Sequence, residues 1–111
     1  MLAGGTALVC DAALSPAARR ALRSACAVIS ISRDAAMQFA LNVVEIGDAM
    51  LTGTDSVEVA SILECLGKRV VHTPLDEVHR AGGSAACLLA PVHDHATVAI
   101  AATAAIRSTA A

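Results

Sequence analysis

Aromatic residues are nearly absent: Phe39 stands alone in 111 residues, with no Trp and no Tyr. A core without rings must be assembled from Ala, Val, Leu and Ile, which bury less area per side chain. Such a core is marginal in a domain this small if it stands alone. The same lack removes the stacking platform on which single-stranded nucleic acid is held. Cationic residues are also few, eight Lys and Arg against ten Asp and Glu, giving a net charge of −2. They are scattered rather than gathered into a stripe, so no nucleic-acid partner is expected.

Long apolar runs and paired cysteines are missing as well. No uncharged apolar stretch reaches the roughly 20 residues that span a bilayer. The run at 96–106 is too short and ends in Arg107. Residues 1–9 lack the charged start and apolar core of a secretory signal. A soluble, cytoplasmic protein with no membrane contact is the expectation. Cys10, Cys26, Cys65 and Cys87 occur without any C-x-x-C pair. That predicts reduced thiols rather than a disulfide framework, and no two have finger-like spacing for zinc. No metal and no cofactor are expected.

What the chain does have is apolar content, 56% of residues, which argues against disorder. An apolar run at 6–10 after Gly4-Gly5 predicts a buried strand. Ser15 followed by Pro16 is a helix start. That helix runs to about Cys26, with Ala18, Leu22 and Ala25 on one face and Arg19, Arg20 and Arg23 toward solvent. A strand follows at 27–31, and Ser32 caps a short helical turn through Phe39. Residues 42–46 and 49–52 read as strands joined at Gly47-Asp48. Asp55 and Glu58 have capping-box spacing ahead of a helix at 56–66. Val59, Ile62, Leu63 and Leu66 share its face, and Gly67 is its stop. A strand at 69–72, a helical turn at 76–79 and a strand at 84–90 complete the order.

Strand, capped helix and strand at 6–31 recur at 43–72, displaced by about 41 residues, a period typical of repeat architectures. Repeat units cover one another's apolar faces, and about three or more are needed for stability. Two units and the start of a third are counted here. The chain therefore reads as part of a larger object, or as one that self-associates through exposed faces and edges.

Residues 80–89 (RAGGSAACLL) are the stretch that this scaffold serves. Gly82 and Gly83 permit a tight turn and close approach of another group, presenting Cys87. Unpaired cysteine more often packs as a small hydrophobe, and its reactivity depends on its surroundings. His93 and His95 flank Asp94 in a fragment suited to metal or acid–base chemistry, although metal sites need three or four ligands. His72 and His79 read as surface or packing residues. Gly82-Gly83 opens a predicted strand and not a helix N-terminus, which argues against a phosphate site.

Taken together, Phe39-Ala40-Leu41-Asn42, Gly47-Asp48, 66–71 (LGKRVV), Glu77 and Arg80-Ala81-Gly82-Gly83-Ser84-x-x-Cys87 resemble the guanidino-group-modifying enzymes of the pentein fold. The dimethylarginine dimethylaminohydrolase and amidinotransferase branch is the most similar. The resemblance covers residues 4–92 as the C-terminal part of such a domain, with 93–111 as an Ala-rich tail. It implies an α/β fold of about two ββαβ modules, out of five in a ring, with mixed sheets. It also implies that Cys87 is the nucleophile toward a guanidino small molecule, arginine or an N-methylated arginine. The thiolate would form a covalent amidino intermediate and release a citrulline-type product. Amidinotransferase and arginine deiminase chemistry are alternatives within the family, and a non-catalytic, self-associating module is the alternative outside it. Asn42, Gly82 and Gly83 are the candidate substrate-binding positions. Ser84 stands where a third glycine is common, which is tolerable if its φ is negative. The family's histidine and substrate-gripping acids fall upstream of the matched residues, so these 111 residues are expected to be inactive without a further N-terminal part.

Overall fold

The computed structural model describes residues 1–90 and Val92. Strand β1 (Leu2–Ala3) turns back into β2 (Thr6–Val9) through Gly4 and Gly5, whose φ angles are 55° and 81°. Two positive φ values in a two-residue loop match the right-handed twist of the flanking strands, and glycine adopts them without a Cβ penalty. Helix α1 (Pro16–Ala25) follows, with the Ser15 hydroxyl accepting from the Ala18 N–H at 3.2 Å. The chain then returns as β3 (Ala27–Ser30), parallel to β2 with Thr6 opposite Ala27.

The same order recurs. Strands β4 (Val43–Ile46) and β5 (Ala49–Thr52) pair antiparallel, and α3 (Val57–Cys65) leads to β6 (Arg69–His72), which lies parallel to β5. Each half is thus a ββαβ unit with a mixed three-stranded sheet. Between the halves lies α2 (Arg33–Met37), capped by the Ser32 hydroxyl on the Ala35 N–H. After the second comes α4 (Asp76–Arg80).

Both halves contribute to one core: Ala3, Leu8 and Ile31 from the first, Ala35 and Ala40 from the link, and Met50, Val59 and Leu63 from the second. Aliphatic side chains and one methionine fill it, as the scarcity of rings requires. Leu8, Met50 and Leu63 are its largest fully buried apolar members.

Four expectations need correction. Strand β1 was not anticipated, because two residues are too few to show a period. The face of α1 is not covered: Ala18 and Ala25 are exposed and Leu22 half-buried, while Arg19 is half-buried rather than in solvent. The capping box at Asp55 does not form; Ser56 caps α3 on the Val59 N–H, and Glu58 is used elsewhere. Its carboxylate accepts from the Ser32 N–H and hydroxyl at 2.7 and 2.6 Å, tying α3 to the start of α2. Lastly, residues 84–90 are not a strand; Ala85–Leu88 is a short 3₁₀ turn.

Candidate active site

Helix α4 ends by delivering the chain to the thiol. The Gly82 N–H bonds the His79 carbonyl at 3.0 Å and the Gly83 N–H bonds the Val78 carbonyl at 3.1 Å. This is the paired closure of a helix by a left-handed residue, and Gly82 supplies it at φ 86°. Gly82 is therefore the helix stop. Gly83 lies beside Cys87: a Cβ built there would come within 3.4 Å of the Cys87 Cβ and 3.6 Å of its sulfur.

Ser84 follows with φ −155°, extended backbone that any residue adopts, so a serine here carries no strain. It is fully buried, and its Oγ lies 2.9 Å from His79 Nε2. The Cys87 N–H bonds the Ser84 carbonyl at 3.0 Å. Asn42, just before β4, reaches across 45 residues of sequence: its Nδ2 donates to Cys87 Sγ at 3.2 Å. Its Oδ1 accepts from the Ala86 N–H at 2.8 Å. These bonds explain the failure of the predicted strand. The amides of 86 and 87 are taken by a side chain and by a local turn, leaving nothing for a ladder.

Cys87 is exposed, and its thiol is held below its ordinary value of 9.0. A hydrogen bond to the thiol from the Ser84 backbone is the larger cause and that from the Asn42 amide the second, with desolvation opposing. Hydrogen bonds to the charged form favour the thiolate, which is the nucleophilic form. All four cysteines are free, and Cys65 is exposed as well.

His79 does more than the sequence suggested. Besides meeting Ser84, its ring stacks on Phe39 with centroids 5.1 Å apart and planes 15° apart. Phe39 itself sits at φ 61°, a left-handed conformation unusual for a bulky side chain. Nothing in the spacing of either residue announces this contact. His72 is exposed at the end of β6. With His79, Gly53, Thr54, Asp55, Pro74 and Asp76 it lines an open cleft of about 280 Å³. Glu77 and Arg80 pair with each other at 2.7 Å on the surface. His93 and His95 lie outside the described residues. Among the described residues no group of three or more His, Cys, Asp or Glu is placed to hold a metal ion, and no helix is long and apolar enough to cross a membrane.

No protein-family model and no curated protein matches the chain. Solved structures do. Unliganded AgrE is 31% identical with a TM-score of 0.72, over 85% of this chain and 15% of AgrE. A complex of AgrE with L-arginine, in a variant carrying alanine for one cysteine, matches at 30% and 0.72. The product-bound N-terminal domain of ArgZ, an arginine dihydrolase from the ornithine–ammonia cycle in cyanobacteria, is 29% identical with a TM-score of 0.76. That match covers 84% of this chain and 35% of the ArgZ domain. The chain thus spans about a third of the ArgZ domain and 15% of AgrE. Two successive ββαβ units and this likeness give the chain the pentein fold, in the form found in arginine-acting enzymes.

Proposed function

We propose that this chain carries the nucleophile of a cysteine-dependent hydrolase acting on the guanidino group of arginine. The carrying observation is the clamp of Asn42 on Cys87 and Ala86, which joins two distant segments at an exposed, acidified thiol. The Cys87 thiolate attacks the guanidinium carbon and forms a C–S bond. A C–N bond then breaks, and the nitrogen leaves as ammonia after taking a proton. Water next adds to the amidino carbon and the C–S bond breaks, leaving a ureido, citrulline-type product and the free thiol. Each proton transfer needs a general acid or base, and the guanidinium needs carboxylate partners. In this reading those groups come from a further part of the ring. An ArgZ domain with serine for one cysteine, bound to substrate, and an AgrE variant with alanine for one cysteine, bound to L-arginine, support thiol chemistry, and arginine as ligand there favours arginine over its methylated forms. A dimethylargininase or amidinotransferase would use the same thiol with a different leaving amine or acceptor.

Chloroacetamidine, which presents an amidinium beside an alkylating carbon, tests the claim. Mass spectrometry of the labelled chain should find Cys87 modified well before Cys10, Cys26 and Cys65. Equal labelling of all four would leave a non-catalytic module in which Cys87 has no special chemistry.

A further inference from the structure

Cys87 sits on the surface in a 3₁₀ turn of four residues, Ala85–Leu88. So short a turn has weak hydrogen bonds of its own and cannot fix the direction of a thiol. Two contacts help to do so: the Asn42 side chain, which donates to the sulfur, and the backbone of Ser84, which opens the turn and whose carbonyl accepts the Cys87 N–H. Both lead back to the same place. Ser84 is fully buried, and among the described residues the hydrogen-bond partner of its hydroxyl is His79 Nε2, at 2.9 Å. The His79 ring lies on Phe39, and the Phe39 carbonyl accepts the Asn42 N–H at 2.9 Å. Phe39 therefore anchors both contacts, and it does so from a left-handed backbone conformation. Such outliers persist only where their surroundings enforce them, and they gather at functional sites.

The opposite wall is equally close. A Cβ added at Gly53 would stand 2.7 Å from Ser84 Oγ and 3.0 Å from His79 Nε2. The pair is thus seated between Phe39 and the bare backbone of Gly53.

The geometry points to His79 as a positioning residue for Cys87: stacked on Phe39, it locks Ser84, and through Ser84 the backbone that holds the thiol. This rests on the reading of Cys87 as the nucleophile. His79 does not touch Cys87 among the described contacts, so its effect is on orientation and ionisation, transmitted through Ser84.

The test is the rate of chloroacetamidine labelling at Cys87 against pH, with Cys65 in the same sample as control. His79→Ala should slow Cys87 about tenfold or more, as misplacement of a reacting group does, and move its profile to higher pH. Cys65 should be unaffected. His79→Gln, which can still reach Ser84 Oγ, should recover most of the rate. Ser84→Ala should reproduce the loss, and the double variant should be no slower than the slower single. Ser84→Ala also carries the test if His79→Ala fails to fold. A wild-type profile at Cys87 in a folded His79→Ala chain overturns the role of His79 alone, as do additive losses in the double variant. Wild-type labelling of Cys87 no faster than Cys65 overturns this role and the nucleophile reading together.

Discussion

Asn42 and Cys87 are 45 residues apart in sequence and joined by an Nδ2–Sγ hydrogen bond of 3.2 Å. The other end of the same amide holds the Ala86 N–H. One side chain therefore both shapes the turn and stabilises the thiolate. Asn42→Ala should slow labelling of Cys87 and move its pH profile up toward the ordinary thiol value of 9.0. Asn42→Asp keeps an acceptor for Ala86 but loses the donor and adds negative charge, so its profile should move further still. The order wild type, Ala, Asp in rate at neutral pH is the outcome to check. A faster Asp variant would show that the amide donor is irrelevant.

The lowered thiol also makes stability depend on pH. Between its folded value and 9.0 the folded thiol is ionised while the unfolded one still holds its proton. The unfolded chain binds more protons there, so stability rises with pH across that interval. It is lost as pH falls through the folded value. Denaturant midpoints measured across the interval should climb in the wild type, and Cys87→Ala should remove the climb.

Glu58 caps α2 from a different helix, and its carboxyl is held below the ordinary 4.5, first by the Ser32 hydroxyl and then by the Ser32 N–H. A depressed carboxyl contributes stability above its unfolded value that is lost as pH falls through the folded one. Glu58→Gln should therefore lower Tm at neutral pH, and the gap to wild type should close below pH 4.5. A gap that stays constant with pH would mean that the amide loses packing rather than charge.

Gly53 has no positive φ to demand glycine; space alone demands it. A methyl group there meets Ser84 Oγ at 2.7 Å, Leu75 Cδ1 at 2.8 Å and His79 Nε2 at 3.0 Å. Gly53→Ala should cost about 1–3 kcal/mol, the usual range for overpacking, and slow Cys87 labelling as well. Urea titration and labelling on the same preparation check both effects.

Leu63 is 1% exposed in a core with few large side chains. Leu63→Ala should cost about 2–5 kcal/mol, the range for large-to-small changes in a packed core. That is a large share of the roughly 5–15 kcal/mol that stabilises an ordinary domain. Circular dichroism of this variant should show a large loss of cooperative unfolding, whereas Ile46→Ala, at a residue 61% exposed, should change little.

Most of the regular structure was legible from residues that act on their near neighbours. Ser15 and Ser32 cap helices from within three positions, whereas the cap of α3 is Ser56 and not the Asp55 that the spacing predicts. Gly67 stops α3 at φ 77° with the Lys68 N–H on the Leu63 carbonyl at 3.0 Å, as its place after the apolar periodicity implies. The doubled strand–helix–strand order follows from the same local signals, whereas the two-residue β1 that completes the first ββαβ unit does not. The apolar run around Cys87 was misread because a short run of small residues has no period to separate strand from turn.

By itself, then, the sequence determined the strand–helix–strand repeat, the Ser15 and Ser32 caps, the Gly67 stop, a ring-poor aliphatic core, and the place of Cys87 just after a glycine turn. Tertiary structure alone decided what surrounds that cysteine. Whether the Ala86 N–H joins a ladder or takes the Asn42 amide depends on a segment 44 residues away. Whether Glu58 serves its own helix or caps α2 depends on Ser32, 26 residues away. His79 became a partner of Ser84 and Phe39 only when β5, α4 and the residue 39–42 turn closed on one another. Hydrogen bonds and ring contacts act over a few ångströms, and only the folded chain brings such distant residues within that reach.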